Sequence, residues 1–266
     1  MKTVIITGGS SGIGEALAIQ ASIKKYNVVI AARNSEKLNL VKSNCESNGA
    51  KCLAVVCDVS SEQECENLIN LTVQTFGQID VLINNAGISM RALFTDCNLD
   101  VIKSVMDINF WGTVNCTKYA LPYILKSKGS IVGVSSISGI VGLPGRTGYC
   151  ASKFAMHGFL ESLRIENYNQ KLHVLIACPG YTNSNIRNTA LNHLGNSQTE
   201  SPFDETKLMP AETVAKAIFK AIDKRKQYLL LTIQGKLTVF FSKFFPKFLD
   251  KIIYKTVAKE KDSPFK

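Results

Sequence analysis

The fold is decided by the segment TVIITGGSSGIG at residues 3–14 of the 266-residue chain. A short β-rich apolar run at residues 3–7 leads directly into a glycine cluster, and a helical pattern begins near Glu15. Glycines spaced GxxxGxG allow a tight turn, a close backbone approach to a pyrophosphate and close packing of helix on strand. Because the helix N-terminus then faces the phosphates, the segment predicts a dinucleotide site formed by Thr7, Gly8, Ser10, Ser11, Gly12, Ile13 and Gly14.

Similar apolar runs recur along the chain, at residues 28–31, 52–57, 81–83, 130–134, 174–177 and 228–232. They are continuous rather than alternating, which is typical of strands covered on both faces of a sheet. Amphipathic helical stretches lie between them, at residues 15–25, 35–48, 61–76, 99–125 and 149–168. This alternation predicts an α/β fold with a Rossmann-type, doubly wound parallel sheet of about seven strands, helices on both faces and ligands at the carboxyl ends of the strands.

The end of the second strand indicates which dinucleotide binds. A carboxylate there would accept a hydrogen bond from the ribose 2′-hydroxyl of NAD and would repel the 2′-phosphate of NADP. The sequence has AARN at residues 31–34, with no acid and with Arg33 available for a charge-assisted contact to phosphate. NADP(H) is therefore expected in preference to NAD(H). The alternative is that Arg33 is only a solvated surface charge.

A tyrosine and a lysine carry the predicted chemistry. Tyr149 and Lys153 are four residues apart, which places them on one face of a helix. A nearby ammonium favours the phenolate, so we expect Lys153 to lower the pKa of Tyr149 from its usual value of about 10 and make it an acid and base. Ser136 lies at the end of a strand, where it would hydrogen-bond the same substrate oxygen and stabilise charge that develops on it.

Five motifs occur in the order and spacing of the short-chain dehydrogenases/reductases, a family that residues 2–232 therefore resemble: TGGSSGIG from Thr7, NNAG from Asn84, Ser136, YCASK from Tyr149 and PG at Pro179. Within this family the segments NAGISMR from Asn85 and PGYTNSN from Pro179 are most similar to the branch called dehydrogenase/reductase member 7 and 7B. Relatives in that branch often carry an N-terminal membrane segment, and no such segment is expected in this sequence.

The resemblance implies further roles. Lys153 would also hold the nicotinamide ribose, and Asn109 would support a proton relay through water to Lys153, unless it is only a helix-bending residue satisfied by backbone. The same resemblance implies cofactor contacts from Asp58, Val59, Asn85, Ala86, Gly87, Tyr149, Pro179, Gly180, Thr182 and Ser184. Two positions depart from the family pattern. Ser184 replaces the usual threonine, and Ser11 stands where some NADP-dependent relatives carry a basic residue, so recognition of the phosphate depends more on Arg33.

One core domain with an appendage is expected: a catalytic domain at residues 1–232 and a basic, amphipathic helical extension at residues 233–266. Residues 182–210 are rich in Asn, Ser and Thr, and they follow a strand on the ligand side. Loops longer than about 12–15 residues in compact domains are usually lids or linkers. We interpret this one as a substrate lid, since Ile186, Leu191 and Leu194 would offer an apolar surface to a lipid-like substrate.

The extension is basic. The chain has a net charge of +10, of which residues 224–266 contribute +8, so the core is nearly neutral and a nucleic-acid partner is not expected. Lysines recur every four residues at Lys243, Lys247, Lys251 and Lys255, beside phenylalanines at helical spacing. Pro246 should begin a new helix. The pattern suits a peripheral contact of residues 236–258 with an anionic membrane, or burial of the phenylalanines on the core or in a dimer.

The cysteines, the histidines and the apolar runs indicate the redox state, the lack of a metal site and the cellular location. Eight cysteines show no CxxC pairing, which indicates reduced, structural thiols, and three scattered histidines give no metal site. The N-terminal apolar run is shorter than the 7–15 residues or so of a signal peptide, and no run reaches the roughly 18 residues of a spanning helix. We therefore expect a cytoplasmic protein, peripheral on a membrane at most, and the family resemblance implies a homodimer or homotetramer.

Together these features predict an NADP(H)-dependent oxidoreductase that moves a hydride between nicotinamide and a carbonyl or secondary alcohol, with an apolar, steroid-, retinoid- or lipid-like substrate. The alternative is a catalytically silent protein of the same fold that senses NADP. A protein of that kind need not keep Ser136, Tyr149 and Lys153, so their presence favours the enzyme.

Overall fold

The computed structural model describes residues 1–198, 208–260 and 263–265. Strands and helices alternate along the first half of the chain from β1 to β4. They alternate again from β5 to β7, and two helices follow β7. The strands are β1 Thr3–Thr7, β2 Asn27–Ala32, β3 Cys52–Val56, β4 Val81–Asn84, β5 Ser130–Val134, β6 His173–Cys178 and β7 Tyr228–Leu230. The helices are α1 Gly12–Ile23, α2 Ser35–Ser47, α3 Glu62–Phe76, α4 Leu99–Met106, α5 Gly112–Ser127, α6 Thr147–Glu166, α7 Ala211–Asp223, α8 Ile233–Phe244 and α9 Pro246–Ala258.

The seven strands form one parallel sheet in the order β3-β2-β1-β4-β5-β6-β7. The chain therefore winds outward from β1 in one direction and then, from β4, in the other. Ligands of open α/β sheets bind at the carboxyl ends of the strands where the order reverses, which here means beyond β1 and β4. The predicted fold class is confirmed.

Apolar burial on both faces of the sheet explains why the strands are continuous apolar runs. Two core clusters cover the two faces, one built with α1, α2 and α7 and the other with α3, α5 and α6. All five residues of β1 and all six of β6 are buried. Polar side chains fix where the helices begin, since Asn34 accepts a hydrogen bond from the Lys37 amide at 2.8 Å at the start of α2.

The long helical stretch predicted at 99–125 is interrupted. A π-helical turn, Asp107–Trp111, separates α4 from α5 and contains Asn109, whose side chain bonds outside the helix. Such turns are rare and occur often at functional sites. A second difference is that β7 ends at Leu230, because Thr232 already caps α8 by accepting a hydrogen bond from the Gly235 amide.

The two C-terminal helices leave several aromatic rings exposed to solvent. The chain breaks at Phe245 and α9 begins at Pro246, as its sequence predicts. Phe240, Phe244 and Phe248 are each more than half exposed, whereas Leu249 is buried. In the described ranges of the chain, no helix has the length and hydropathy needed to cross a membrane. All eight cysteines are free thiols, and seven of them are buried.

Candidate active site

Ser136, Tyr149 and Lys153 meet beyond the carboxyl end of β5. Ser136 follows the strand directly and accepts a hydrogen bond from the Ser138 amide at 3.1 Å, so a short 3-10 turn fixes its position. Tyr149 and Lys153 lie one turn apart in α6, and the Lys153 Nζ is 5.9 Å from the centroid of the Tyr149 ring. Both side chains are buried. The three groups that the sequence singles out for proton transfer therefore share one site.

The protonation of the site is dominated by burial. Burial raises the pKa of Tyr149, against the opposing effects of the Arg146 charge and a hydrogen bond with Ser136. Burial also lowers the pKa of Lys153 to about 8. The expectation that Lys153 lowers the pKa of Tyr149 is thus wrong for this structure. The physical reason is that the removal of the phenol from water has the larger effect, while the Lys153 ammonium donates a 2.9 Å hydrogen bond to the Val134 carbonyl.

Asn109 joins the loop after β4 to α6. Its Oδ1 accepts from the Ile88 amide at 2.8 Å, and its Nδ2 donates to the Ile88 carbonyl at 2.9 Å and to the Ser152 hydroxyl at 2.9 Å. Ser152 in turn donates to the carbonyl of Tyr149 at 2.8 Å. A Cβ added to Gly87 would lie 3.1 Å from the Asn109 Oδ1 and 3.5 Å from the Lys153 Nζ. Asn109 is therefore beside Lys153, as a relay requires, and it also holds the loop in place.

The glycine segment and the loop after β4 form one close-packed unit. The Thr7 hydroxyl accepts hydrogen bonds from the amides of Asn85 and Ala86 at 3.0 and 3.1 Å. The Asn85 side chain donates back to the carbonyls of Thr7 and Gly8. A Cβ on Gly14 would lie 2.0 Å from the Gly8 carbonyl oxygen, so no side chain fits there. Thr7, Asn85 and the glycines thereby set the shape of the crevice between β1 and β4.

This crevice fits a dinucleotide pyrophosphate. Ser11 precedes α1 and makes no side-chain capping bond within the described residues, which leaves N–H groups of the first turn available to an anion. Gly12 adopts a φ of +54°, and a Cβ there would lie 3.2 Å from the Ser184 Cβ. Ser10 and Ile13 lie in the same turn and are partly buried. The segment predicted to hold phosphate is thus a backbone cradle covered on one side by Ser184.

Arg33 lies at the end of β2, beside the same crevice. The Gly9 amide donates to the Ala31 carbonyl at 3.1 Å, which ties the glycine segment to this strand end. The Arg33 side chain is two-thirds exposed, and its Nη1 lies 3.7 Å from the Asp58 Oδ2. Although burial acts in the opposite direction, hydrogen bonds from Ser60 and the charge of Arg33 hold the pKa of Asp58 below its usual value. Arg33 is therefore an accessible cation in a weak ion pair.

The segment after β6 packs between the crevice and α8. A Cβ on Gly180 would lie 2.6 Å from the Thr232 methyl group, so Pro179 and Gly180 pass close to the start of α8. The Thr182 hydroxyl donates to the Gly180 carbonyl at 3.0 Å, and Thr182 is buried. Val59, from the β3 end, is buried against Gly112 instead. The structure thus places Val59 behind the crevice as a packing residue.

The predicted lid contributes to a small apolar cluster around Tyr149. Tyr149 is buried with Met90, Val101 and Val105, and Ile186 and Leu191 from the lid pack against them. Met90 and Leu191 also form a β-bridge, while Leu194 is 59% exposed. Residues 199–207 of the predicted lid lie outside the described residues. The lid that is described therefore approaches the tyrosine from the side of the loop after β4.

His157 lies close to the site and was not among the residues predicted from the sequence. Its Nε2 is 2.7 Å from the Ser135 hydroxyl, and burial lowers its pKa to about 4, so the imidazole is neutral. Ser135 and Val134 precede Ser136, so His157 supports the strand end that carries it. The signal was present in the sequence, because His157 follows Lys153 by four residues on the same helical face.

Comparison with known proteins gives one family. Residues 2–194 match the model of the short chain dehydrogenases. A curated relative from Arabidopsis thaliana, 11-beta-hydroxysteroid dehydrogenase-like 2, is 34% identical over 234 residues, which cover 86% of this chain and 73% of the relative. Human dehydrogenase/reductase SDR family member 7 is 41% identical over 194 residues, or 71% of this chain and 57% of that protein.

Solved structures agree with the fold. A short-chain dehydrogenase/reductase from Burkholderia phymatum in complex with NAD has a TM-score of 0.82 at 23% identity, and the alignment covers 93% of this chain and 94% of that one. An alcohol dehydrogenase from Thermococcus sibiricus, complexed with 5-hydroxy-NADP, has a TM-score of 0.76 at 21% identity, with 86% and 94% covered. At such identities the likeness concerns the fold alone.

Proposed function

The chain belongs to the short-chain dehydrogenase family, as its ordered motifs predict, and we propose that it is an NADP(H)-dependent oxidoreductase acting on a carbonyl or a secondary alcohol. The observation that carries this proposal is that Tyr149 and Lys153 are buried side by side, with the partly buried Ser136 next to them, beside a phosphate cradle. A silent NADP-sensing protein, the alternative, would need the cradle but not the proton-transfer groups.

Each catalytic group has a separate task in this proposal. Tyr149 gives its hydroxyl proton to the substrate oxygen in reduction and accepts the alcohol proton as a phenolate in oxidation. Ser136 donates a hydrogen bond to the same oxygen and stabilises negative charge that develops there. Lys153 returns the proton to Tyr149, and Asn109, which lies beside it, supports the relay. The raised pKa of Tyr149 keeps the phenol protonated at neutral pH, which favours reduction.

The nicotinamide, when bound, would supply or accept the hydride. Residues of the glycine segment would hold the pyrophosphate, with Asn85, Ala86 and Gly87 on the floor of the crevice and Asp58 near the adenine. Lys153 would bind the ribose, and Pro179, Gly180, Thr182 and Ser184 would border the carboxamide. Arg33 supports NADP over NAD because it is an accessible cation at the end of β2, where the chain has no carboxylate.

We propose an apolar substrate. The residues packed around Tyr149 are apolar: Met90 and Val101 are buried, whereas Ile186 and Leu191 are partly buried and keep surface that a substrate could contact. Burial of a carbonyl substrate against such walls removes water from the proton-transfer groups and strengthens their electrostatic effect. Steroid-, retinoid- and long-chain carbonyls are therefore the first classes to test.

The experiment is to follow NADPH absorbance with a panel of steroids, retinoids, long-chain aldehydes and ketones. Turnover of at least one carbonyl by the wild-type protein, lost in Tyr149→Phe, supports the enzyme. Binding of NADPH, detected by its fluorescence, without turnover of any carbonyl or oxidation of any alcohol would support the silent sensor instead.

We also propose that residues 1–232 act as the catalytic domain and that residues 236–258 lie on an anionic membrane surface. The rings of Phe240, Phe244 and Phe248 are more than half exposed, so the alternative that they pack on the core does not apply to them. Exposed lysines flank them at 243, 247, 251 and 255. An exposed apolar face bordered by cations suits an interface that is apolar inside and negatively charged outside. Such a protein would be cytoplasmic and peripheral, and a homodimer or homotetramer as in its family.

A further inference from the structure

Glu260 and residues 263–265 contact two loops of the candidate site. Glu260, at the end of the α9 region, pairs with Arg91 at 2.7 Å between Oε2 and Nη2, and their side chains are only 15% and 8% exposed. Ser263 is buried, and the ring of Pro264 lies against Gly145. The Phe265 ring contacts Tyr254 of α9, with 4.8 Å between ring centroids and an angle of 42° between the ring planes. The described end of the chain is therefore docked on the domain.

The loop that carries Arg91 is hydrogen-bonded to two other segments near Tyr149. Its amide donates to the Leu191 carbonyl of the lid at 2.8 Å, and the next amide, of Ala92, donates to the Gly145 carbonyl at 2.9 Å. Met90, one residue earlier, packs in the apolar cluster with Tyr149. Gly145 belongs to the segment between Ser136 and Tyr149, and it has a φ of +70° that a residue with a side chain would rarely adopt.

From these contacts we propose that Glu260 and residues 263–265 form a clamp on the substrate site, with Glu260 as a positioning residue for substrate binding. Glu260 and Pro264 contact the loops at 91–92 and 145, and these loops keep Met90 and Leu191 packed near Tyr149. Loss of the clamp should loosen the walls without touching the proton-transfer groups.

The clamp acts on large substrates more than on small ones. A bulky apolar carbonyl would contact the partly buried Ile186 and Leu191 to be held, whereas a short ketone needs only Ser136 and Tyr149. This part of the proposal depends on the proposed carbonyl chemistry. The effect on the loops themselves does not depend on it.

The test uses the full-length protein with Glu260→Gln, Glu260→Asp and a chain that ends at Lys259. Glu166→Gln, on an exposed glutamate at the end of α6, is the matched control. In Glu260→Gln and the shortened chain we expect hydrogen exchange at the Arg91 and Ala92 amides to rise at least 10-fold. The KM for a bulky ketone should rise at least 5-fold, while its kcat and the KM values for a short ketone and for NADPH stay within 2-fold.

Glu260→Asp, which keeps the charge, should lie between the wild type and Glu260→Gln, and the control should match the wild type. Unchanged exchange at Arg91 and Ala92 in both Glu260→Gln and the shortened chain would overturn the clamp. A general rise of exchange throughout the sheet, or an equal fall of kcat for both ketones, would also contradict it by showing a loss of stability alone. If the wild type reduces no carbonyl, the proposed function fails and the exchange data still decide whether the clamp exists.

Discussion

The Lys153 Nζ lies 5.9 Å from the centroid of the Tyr149 ring, and its proton is directed to the carbonyl of Val134 at 2.9 Å. The two side chains share a buried site, but Lys153 donates its hydrogen bond to the backbone of Val134 and not to the Tyr149 hydroxyl. Both pKa values move toward the uncharged forms, upward for the phenol and down to about 8 for the amine. Burial of two ionisable groups lowers the stability of the fold, and groups with such shifted pKa values are typical of proton-transfer sites.

Replacement of Lys153 by Met should stabilise the protein while it abolishes activity. The buried ammonium has a folded pKa of about 8 against 10.5 in the unfolded chain, so its charge opposes folding at pH 7. We expect the free energy of unfolding to rise by about 1–3 kcal/mol at pH 7, since each pKa unit is worth about 1.4 kcal/mol.

Because the pKa of Lys153 is lowered in the folded protein, the free energy of unfolding depends on pH. Between about pH 8 and 10.5 the unfolded chain binds more protons than the folded one, so the wild type gains stability as pH rises through this range and loses it as pH falls. The advantage of Lys153→Met should therefore shrink from pH 7 to pH 10. Urea unfolding at both pH values measures it, with Lys118→Met, on an exposed lysine of α5, as the control. A variant less stable than the wild type at pH 7 would contradict the assignment.

Replacement of Arg33 by Ala should affect NADPH far more than NADH. Hydrogen bonds to charged groups contribute about 1.5–3 kcal/mol, which corresponds to an increase of about 10–150-fold in the KM for NADPH. The KM for NADH should change less than about 3-fold, because NADH has no 2′-phosphate. Steady-state kinetics with both cofactors decide the matter, and equal effects on the two would show that Arg33 is only a surface charge.

Two helical glycines should respond in opposite ways to Ala. A Cβ on Gly14 would clash with the Gly8 carbonyl oxygen, whereas a Cβ on Gly158 meets nothing within 4 Å. Gly14→Ala should lower the free energy of unfolding by at least about 2 kcal/mol and weaken NADPH binding. Gly158→Ala should raise it by about 0.5–1 kcal/mol, since Ala favours helix. Thermal unfolding and NADPH fluorescence test both, and a neutral Gly14→Ala would mean that the cradle is not close-packed.

Membrane contact should depend on the lysines of α8 and α9. Three exposed cations near an anionic surface contribute about 1 kcal/mol each, so changing Lys243, Lys247 and Lys251 together to Gln should weaken binding about 100-fold. Co-sedimentation with phosphatidylcholine vesicles containing or lacking phosphatidylserine measures the effect. The control changes Lys37, Lys118 and Lys220 to Gln, which are exposed elsewhere. If the wild type stays in solution and Phe244→Ser converts an oligomer to a monomer, the face is a subunit interface instead.

Local patterns were sufficient to predict most of the fold. The predicted runs at 3–7 and 130–134 match β1 and β5 residue for residue, because a buried parallel strand is a continuous apolar run bounded by turns. The break before Pro246 was predictable for a similar reason, since proline has no N–H to donate inside a helix. The π-helical turn was not, because it depends on the bonds of Asn109 to Ile88, which lies 21 residues away.

The candidate site, like the fold, was predictable from local sequence only in part. The spacing of Tyr149 and Lys153 predicts a shared helical face, but the balance between burial and charge that sets their pKa values requires the whole packed structure. The pairing of Arg91 with Glu260 joins residues 169 apart, and no periodicity in the sequence indicates it. Contacts between residues so far apart in the sequence depend on the whole fold, so the sequence alone does not predict them.

The most direct test of the proposed chemistry is single-turnover transfer of deuterium from deuterated NADPH to the carbonyl carbon of a ketone that the protein reduces. The proposal predicts that the label reaches the alcohol carbon, that Tyr149→Phe slows this step by about 10²–10⁴-fold with NADPH affinity unchanged, and that Tyr168→Phe, on an exposed tyrosine, has no effect. Label transfer at the wild-type rate in Tyr149→Phe would contradict the central role of Tyr149.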